Sequence, residues 1–280
     1  MAISLLWADG ENTPPVPQSF TPSGVAQRWP VGLPHAVEAA IWRGDALGSP
    51  VTTTLRTGFE TLDAELPGNG WPCQSLTEVL QVQPSVLEWR LLAPAMRVVV
   101  AQGKQIVVVG PPKAPHLPGL RHLGLDERQL VWINADKPVE RLWATEQLIK
   151  ANAAGMLVSW LPQARQEQVR RLQVCAQGCD GPVILCRPES AAHEASAAPL
   201  RLQARLGVDW ELHVHLLKRK GPPHEGELRL PSIPGGLEAV LTPRLRYPSR
   251  LIAARQSREL SHAVGSPSSR HPSGRPAAAH

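Results

Sequence analysis

Thr57-Gly58-Phe59-Glu60-Thr61-Leu62-Asp63, Pro67-Gly68-Asn69-Gly70-Trp71-Pro72, Ser75-Leu76-Thr77-Glu78-Val79-Leu80 and Val86-Leu87-Glu88-Trp89 follow one another within residues 57–92, and they decide the fold. The stretch reads as a short opening helix, a glycine-rich turn, a buried strand over 75–80 and a helix from Leu87 to Gln102 that stops at Gly103. Pro94 should kink that helix or limit its first part. A strand running into a helix is the setting of a phosphate loop in α/β proteins. Such a loop needs glycines, so that backbone N–H groups can wrap the phosphates, and a lysine to neutralise them. The connection Gln81 to Glu88 has neither, and Glu88 would repel a phosphate at the helix N-terminus.

Beyond this stretch, Ile106-Val107-Val108-Val109 is a continuous β-branched run, as expected of a parallel strand covered on both faces. It leads into Gly110-Pro111-Pro112-Lys113-Ala114-Pro115. Further strands are expected at 130–133, 156–161 and 183–186, with helices at 138–153 and 163–177 between them. Residues 200–206 and 210–216 alternate apolar and polar, which predicts half-exposed strands and an antiparallel extension of the sheet.

Thr-Gly-x-x-x-Leu-Asp, then Gly-x-Gly-x-Pro, then a strand with Thr-Glu-Val, resembles the start of the RecA core. The eroded loop, the proline-rich segment 110–118 and the ending Lys218-Arg219-Lys220-Gly221 resemble the ImuA family, over roughly residues 30–225. The resemblance implies an α/β fold: a RecA-like core with a mostly parallel sheet flanked by helices, an antiparallel extension near its C-terminal end, and a degenerate nucleotide site. In RecA-like ATPases a water-activating Glu follows the second strand; here Gly110, Pro111 and Pro112 hold that place. Ser159 or Trp160 stands where a Mg²⁺-holding aspartate would be. With the phosphate loop, three elements of ATPase chemistry are missing, so no catalytic residue and no cofactor is expected. The implied function is that of a non-catalytic adaptor in SOS-induced, error-prone translesion DNA synthesis. Its implied partners are ImuB, a DnaE-type polymerase and RecA. A SulA-like inhibitor of cell division is the alternative, and the long terminal extensions argue against it.

Net charge is +5 and unevenly placed. Residues 218–280 carry 11 Lys/Arg against 4 Asp/Glu, whereas residues 1–217 carry 18 against 20. Three segments are expected: a Pro-rich, largely irregular 1–34; an α/β domain over 35–221 that opens with a short helix at 35–43; and a basic, largely disordered tail over 222–280, with a short basic helix from near Ser249. Candidate partner or DNA contacts, chosen by charge clustering, are Arg165, Arg170, Arg171, Lys218, Arg219 and Lys220. A flexible basic tail can also bind phosphates weakly by counterion release.

Nine Trp stand against two Phe and one Tyr, and core packing is expected for Trp89, Trp132, Trp143 and Trp160. Cys175, Cys179 and Cys186, like the pair His213 and His215, are too sparse for a metal site and are expected to hold none. No run of about 18 apolar residues occurs, so no membrane span is expected. Met1 to Asp9 lacks the basic start of a secretory leader, which suggests the cytoplasm.

Overall fold

A computed structural model describes residues 53–84 and 87–263, with side chains to residue 256. The Pro-rich segment, the helix expected at 35–43 and the last residues of the tail lie outside the described residues.

The Thr57–Asp63 motif is a backbone clip. The Thr57 N–H donates to Asp63 Oδ1 at 2.8 Å, and the Phe59 N–H donates to Thr57 Oγ1 at 3.1 Å. These bonds start helix α1 (Glu60–Glu65), which buries Leu62 against the sheet. Gly58 sits at φ 85°, where a Cβ would stand 2.3 Å from Pro94 Cβ, so both the left-handed backbone and the close approach require glycine. A two-stranded ribbon of β1 (Thr54–Leu55) and β2 (Trp71–Pro72) follows from the turn. Strand β3 (Leu76–Gln81) is buried at every residue and leads to α2 (Leu87–Ala101), which passes through Pro94 without interruption.

The chain continues through β4 (Ile106–Val109), α3 (Leu117–His122), β5 (Leu130–Ile133), α4 (Pro138–Lys150), β6 (Met156–Trp160), α5 (Gln166–Ala176) and β7 (Val183–Pro188). Strands β8 (Leu200–Leu206), β9 (Glu211–Lys218) and β10 (Leu228–Pro231) complete the sheet, in the order β10-β9-β8-β3-β7-β6-β4-β5. The six strands from β8 to β5 are parallel; β9 and β10 are antiparallel. The antiparallel extension therefore begins one strand later than the alternation predicts, because β8 pairs in parallel with β3.

Crossovers β3–α2–β4 and β4–α3–β5 step one way with their helices in one core layer. β5–α4–β6 and β6–α5–β7 step back with theirs in the other. A constant right-handed crossover produces this division. At β6 and β4, neighbours in the sheet, the outgoing connections diverge and leave a crevice at the carboxyl ends of the strands, where ligands of open α/β sheets bind.

Residues beyond 221, expected to form a largely disordered tail, also contribute structure. β10 joins the sheet, and α6 (Gly235–Glu238), α7 (Pro243–Arg246) and α8 (Pro248–Ala263) follow, α8 being the basic helix expected near Ser249. Arg90 on α2 latches this segment: its guanidinium donates to Trp210 O at 2.7 Å and to Ser232 Oγ, and it lies 5.6 Å from the Trp210 ring centre. Asp209 accepts from the N–H and hydroxyl of Ser249 at 2.9 and 2.6 Å, fixing the start of α8.

Candidate functional site: the carboxyl-end cleft and the open edge

Two lobes of about 340 Å³ each lie along the carboxyl ends of the strands and share Arg141, Trp160 and Pro162. One runs between the segment before α4 and the start of α5; the other lies over the ends of β3 and β7, walled by Val82, Pro84, Pro112 and Pro188. This is the position of the sequence-predicted degenerate loop from Gln81 to Glu88.

The floor of the cleft is built by alternation. Val79, Cys186 and Trp160 share one face of the sheet, and Gln81, two residues past Val79, joins them. From the opposite wall Glu88, in the first turn of α2, points inward. The Trp160 indole N–H donates to Glu88 Oε1 at 2.6 Å, with both side chains buried. The Trp89 ring lies 6.1 Å from that of Trp160. An indole and a carboxylate thus meet between the end of β6 and the start of α2. The Cys186 thiol beneath them is held protonated, pushed well up by burial and by the Glu88 charge.

Ser159 faces the other layer, where its Oγ lies 2.7 Å from Thr145 Oγ1 on α4. Gly110, at φ 58°, makes room for the Arg141 side chain, whose Nε donates to Ala135 O at 2.6 Å. None of these three contacts could be found from the sequence. Each joins residues whose types are unremarkable singly and which only the fold brings together.

A buried ionic cluster lies in the opposite layer, under the centre of the sheet. Glu78 on β3 is fully buried and accepts from Arg187 Nη1 on β7 at 3.0 Å and from Arg201 Nε on β8 at 2.6 Å. Arg187 also reaches Ala164 O and Glu194, and Arg201 reaches Ala191 O and Glu194 O. The alternation of 200–206 predicts an exposed Arg201; the fold buries it because Glu78 stands directly across in the register.

The six basic contact candidates are not brought together. Arg165 stands just before α5, its backbone N–H donating to Gln168 Oε1 at 2.9 Å, and lines the cleft. Arg170 is exposed on α5, while Arg171 pairs with Glu146 on α4 at 2.8 Å. Lys218, Arg219 and Lys220 lie at the opposite end of the sheet, Lys218 ending β9 and Arg219 and Lys220 beside Cys73, Gln74 and Ser75. There the Lys218 ammonium donates to Ser196 O and the Arg219 guanidinium pairs with Glu65, while Lys220 is exposed. His213 and His215 share a polar hollow, and His213 pairs with Glu227 and Glu211.

Strand β5 ends the sheet, paired on one side by β4 alone. Its Val131 and Trp132 are exposed, and so are Val139 and Trp143 on α4, at 76% and 64%. Two of the four tryptophans expected in the core, Trp132 and Trp143, are therefore on the surface. Periodicity placed them on apolar faces, but nothing among the described residues covers those faces.

Burial pushes the Cys73 thiol up to about 11 and raises that of Cys179, while Cys175 is half-exposed. Only the thiolate reacts, so iodoacetamide at about pH 8 should alkylate Cys175 first and spare the other three until the chain unfolds. Peptide mass spectrometry over a time course checks this; equal rates at all four would overturn it.

No protein-family model matches the chain, and no curated protein matches it. Among the described residues no helix is long and apolar enough to cross a membrane.

Proposed function

We propose that this protein is a non-catalytic adaptor with a RecA-like core, acting in SOS-induced, error-prone translesion DNA synthesis beside ImuB and a DnaE-type polymerase, with RecA as a further partner. The observation that carries this is the Trp160–Glu88 hydrogen bond. In a RecA-like site the phosphates and their metal ion would lie between the end of this strand and the start of this helix. Here an apolar ring system and a carboxylate occupy the space, an arrangement that disfavours phosphate.

The open β5 edge supports the same function. A strand with unpaired backbone groups and exposed Val131 and Trp132 suits addition of an extended segment from another chain, through main-chain hydrogen bonds and alternate side-chain pockets. In this scheme the core has become a docking platform.

The test is a pulldown of the full chain with purified ImuB, DnaE-type polymerase and RecA, with ATP binding measured by calorimetry alongside. Binding to at least one partner with no ATP heat is expected. Trp132→Lys should weaken that binding at least tenfold, or about 1.4 kcal/mol; because the residue is only 37% exposed, the melting temperature is measured beside it to separate lost docking from lost packing. ATP binding, or no affinity for any of the three, would sink the proposal and favour an ATPase or a SulA-like inhibitor.

A further inference from the structure

We propose that the β3 lobe of the cleft binds a small, uncharged cyclic amide, a lactam or imide ring, through the Gln81 side chain. Gln81 is 2% exposed, and neither its Nε2 nor its Oε1 has a hydrogen-bond partner among the described residues. It lines the lobe together with Val82, Pro84, Pro112, Trp160 and Pro188. A buried carboxamide without partners is unfavourable, and native interiors pair nearly all such groups. One lining a cleft, at the carboxyl end of a central strand, is placed as ligand-binding polar groups are in α/β proteins.

The chemistry of the ligand follows from the carboxamide. It offers one donor and one acceptor side by side, and its complement carries C=O beside N–H on one edge. A trans peptide group points these two in opposite directions, whereas a ring holds the amide cis and presents both together. Walls of proline and valine suit a flat, apolar ring body. Arg187, on the far side of the sheet strand, is paired with Glu78 and Glu194, and Arg141 Nε donates to Ala135 O, whereas the Gln81 carboxamide is neutral and calls for a neutral matching edge. The inference goes beyond the adaptor function and does not depend on it.

The experiment titrates the full, ¹⁵N-labelled chain with 2-piperidone, uracil and uridine monophosphate, with N-methylacetamide as a trans-amide control and ATP as a separate arm. The Gln81 carboxamide resonances, identified by their loss in Gln81→Leu, and the Trp160 indole N–H are observed. Both should shift with 2-piperidone and uracil, and the control should leave them unmoved at equal concentration. If uridine monophosphate shifts them too, the ring can arrive on a nucleotide; if it does not, the site takes the free ring. Gln81→Leu should weaken the ring titration, followed at the Trp160 indole, at least tenfold and should raise the melting temperature of the ligand-free protein by about 2–4 °C, because an unpaired polar group is removed. Absence of shifts, equal shifts from N-methylacetamide, an unchanged titration in Gln81→Leu or a lowered melting temperature would each overturn the proposal. The ATP arm bears on the adaptor function alone.

Discussion

Glu78→Leu is expected to cost about 3–5 kcal/mol, because it leaves two buried guanidinium groups without their shared carboxylate. Against a domain stability of about 5–15 kcal/mol that is a large share, and the urea midpoint should fall sharply. Arg187 keeps Glu194 and Arg201 keeps its two carbonyl acceptors, so the loss comes from unbalanced charge more than from missing hydrogen bonds. The companion variant Glu78→Leu/Arg187→Met/Arg201→Met removes all three charges and should recover most of the stability, since a buried ion cluster gains little over apolar packing of similar volume. A loss below about 1 kcal/mol in the single variant, or no recovery in the triple, would show that the cluster is not organised as described.

Trp160→Ala should cost about 3–5 kcal/mol, from a large cavity between β6 and α2 and the loss of its contact with Trp89. Trp160→Phe isolates the hydrogen bond: it keeps most of the ring and withdraws the N–H from Glu88 Oε1. A loss of about 1.5–3 kcal/mol is expected, the range for a bond to a charged acceptor. Urea unfolding measures both. If Trp160→Phe unfolds at the wild-type midpoint, the indole and the carboxylate are not paired, and the strongest support for an adaptor falls with them.

Much of the framework was legible in advance. The β-branched run at 106–109 marks a buried parallel strand, Gly103 stops α2, and the short opening helix expected before the glycine-rich turn is α1. These signals are local, carried by neighbours in the sequence. The central cluster was not legible, because an arginine in an alternating strand looks solvated until the register sets it against Glu78. Likewise Trp132 and Trp143 carry an apolar pattern that does not reveal whether anything lies over them. Structure beyond residue 221 was underestimated for a similar reason. Pro, Ser and Arg dominate its composition, yet pairing of β10 with β9, the Arg90 latch to Trp210 and Ser232, and the Asp209–Ser249 bonds hold β10 and the segment after it in place.

The position of β3 bears on how the chain is made. It is the first long strand of the sheet to leave the ribosome, yet its neighbours on either side, β7 and β8, are among the last. Glu78 must wait 109 residues for Arg187 and 123 for Arg201. Through that interval the backbone groups of a strand that ends fully buried, and the Glu78 carboxylate on it, have no native partner. Pairings so distant in sequence form slowly, and aggregation competes with folding while they are unmade. Synthesis of the centre of the sheet is thus begun early and completed late, and the supply of folded protein would be set by that delay as well as by the rate of translation.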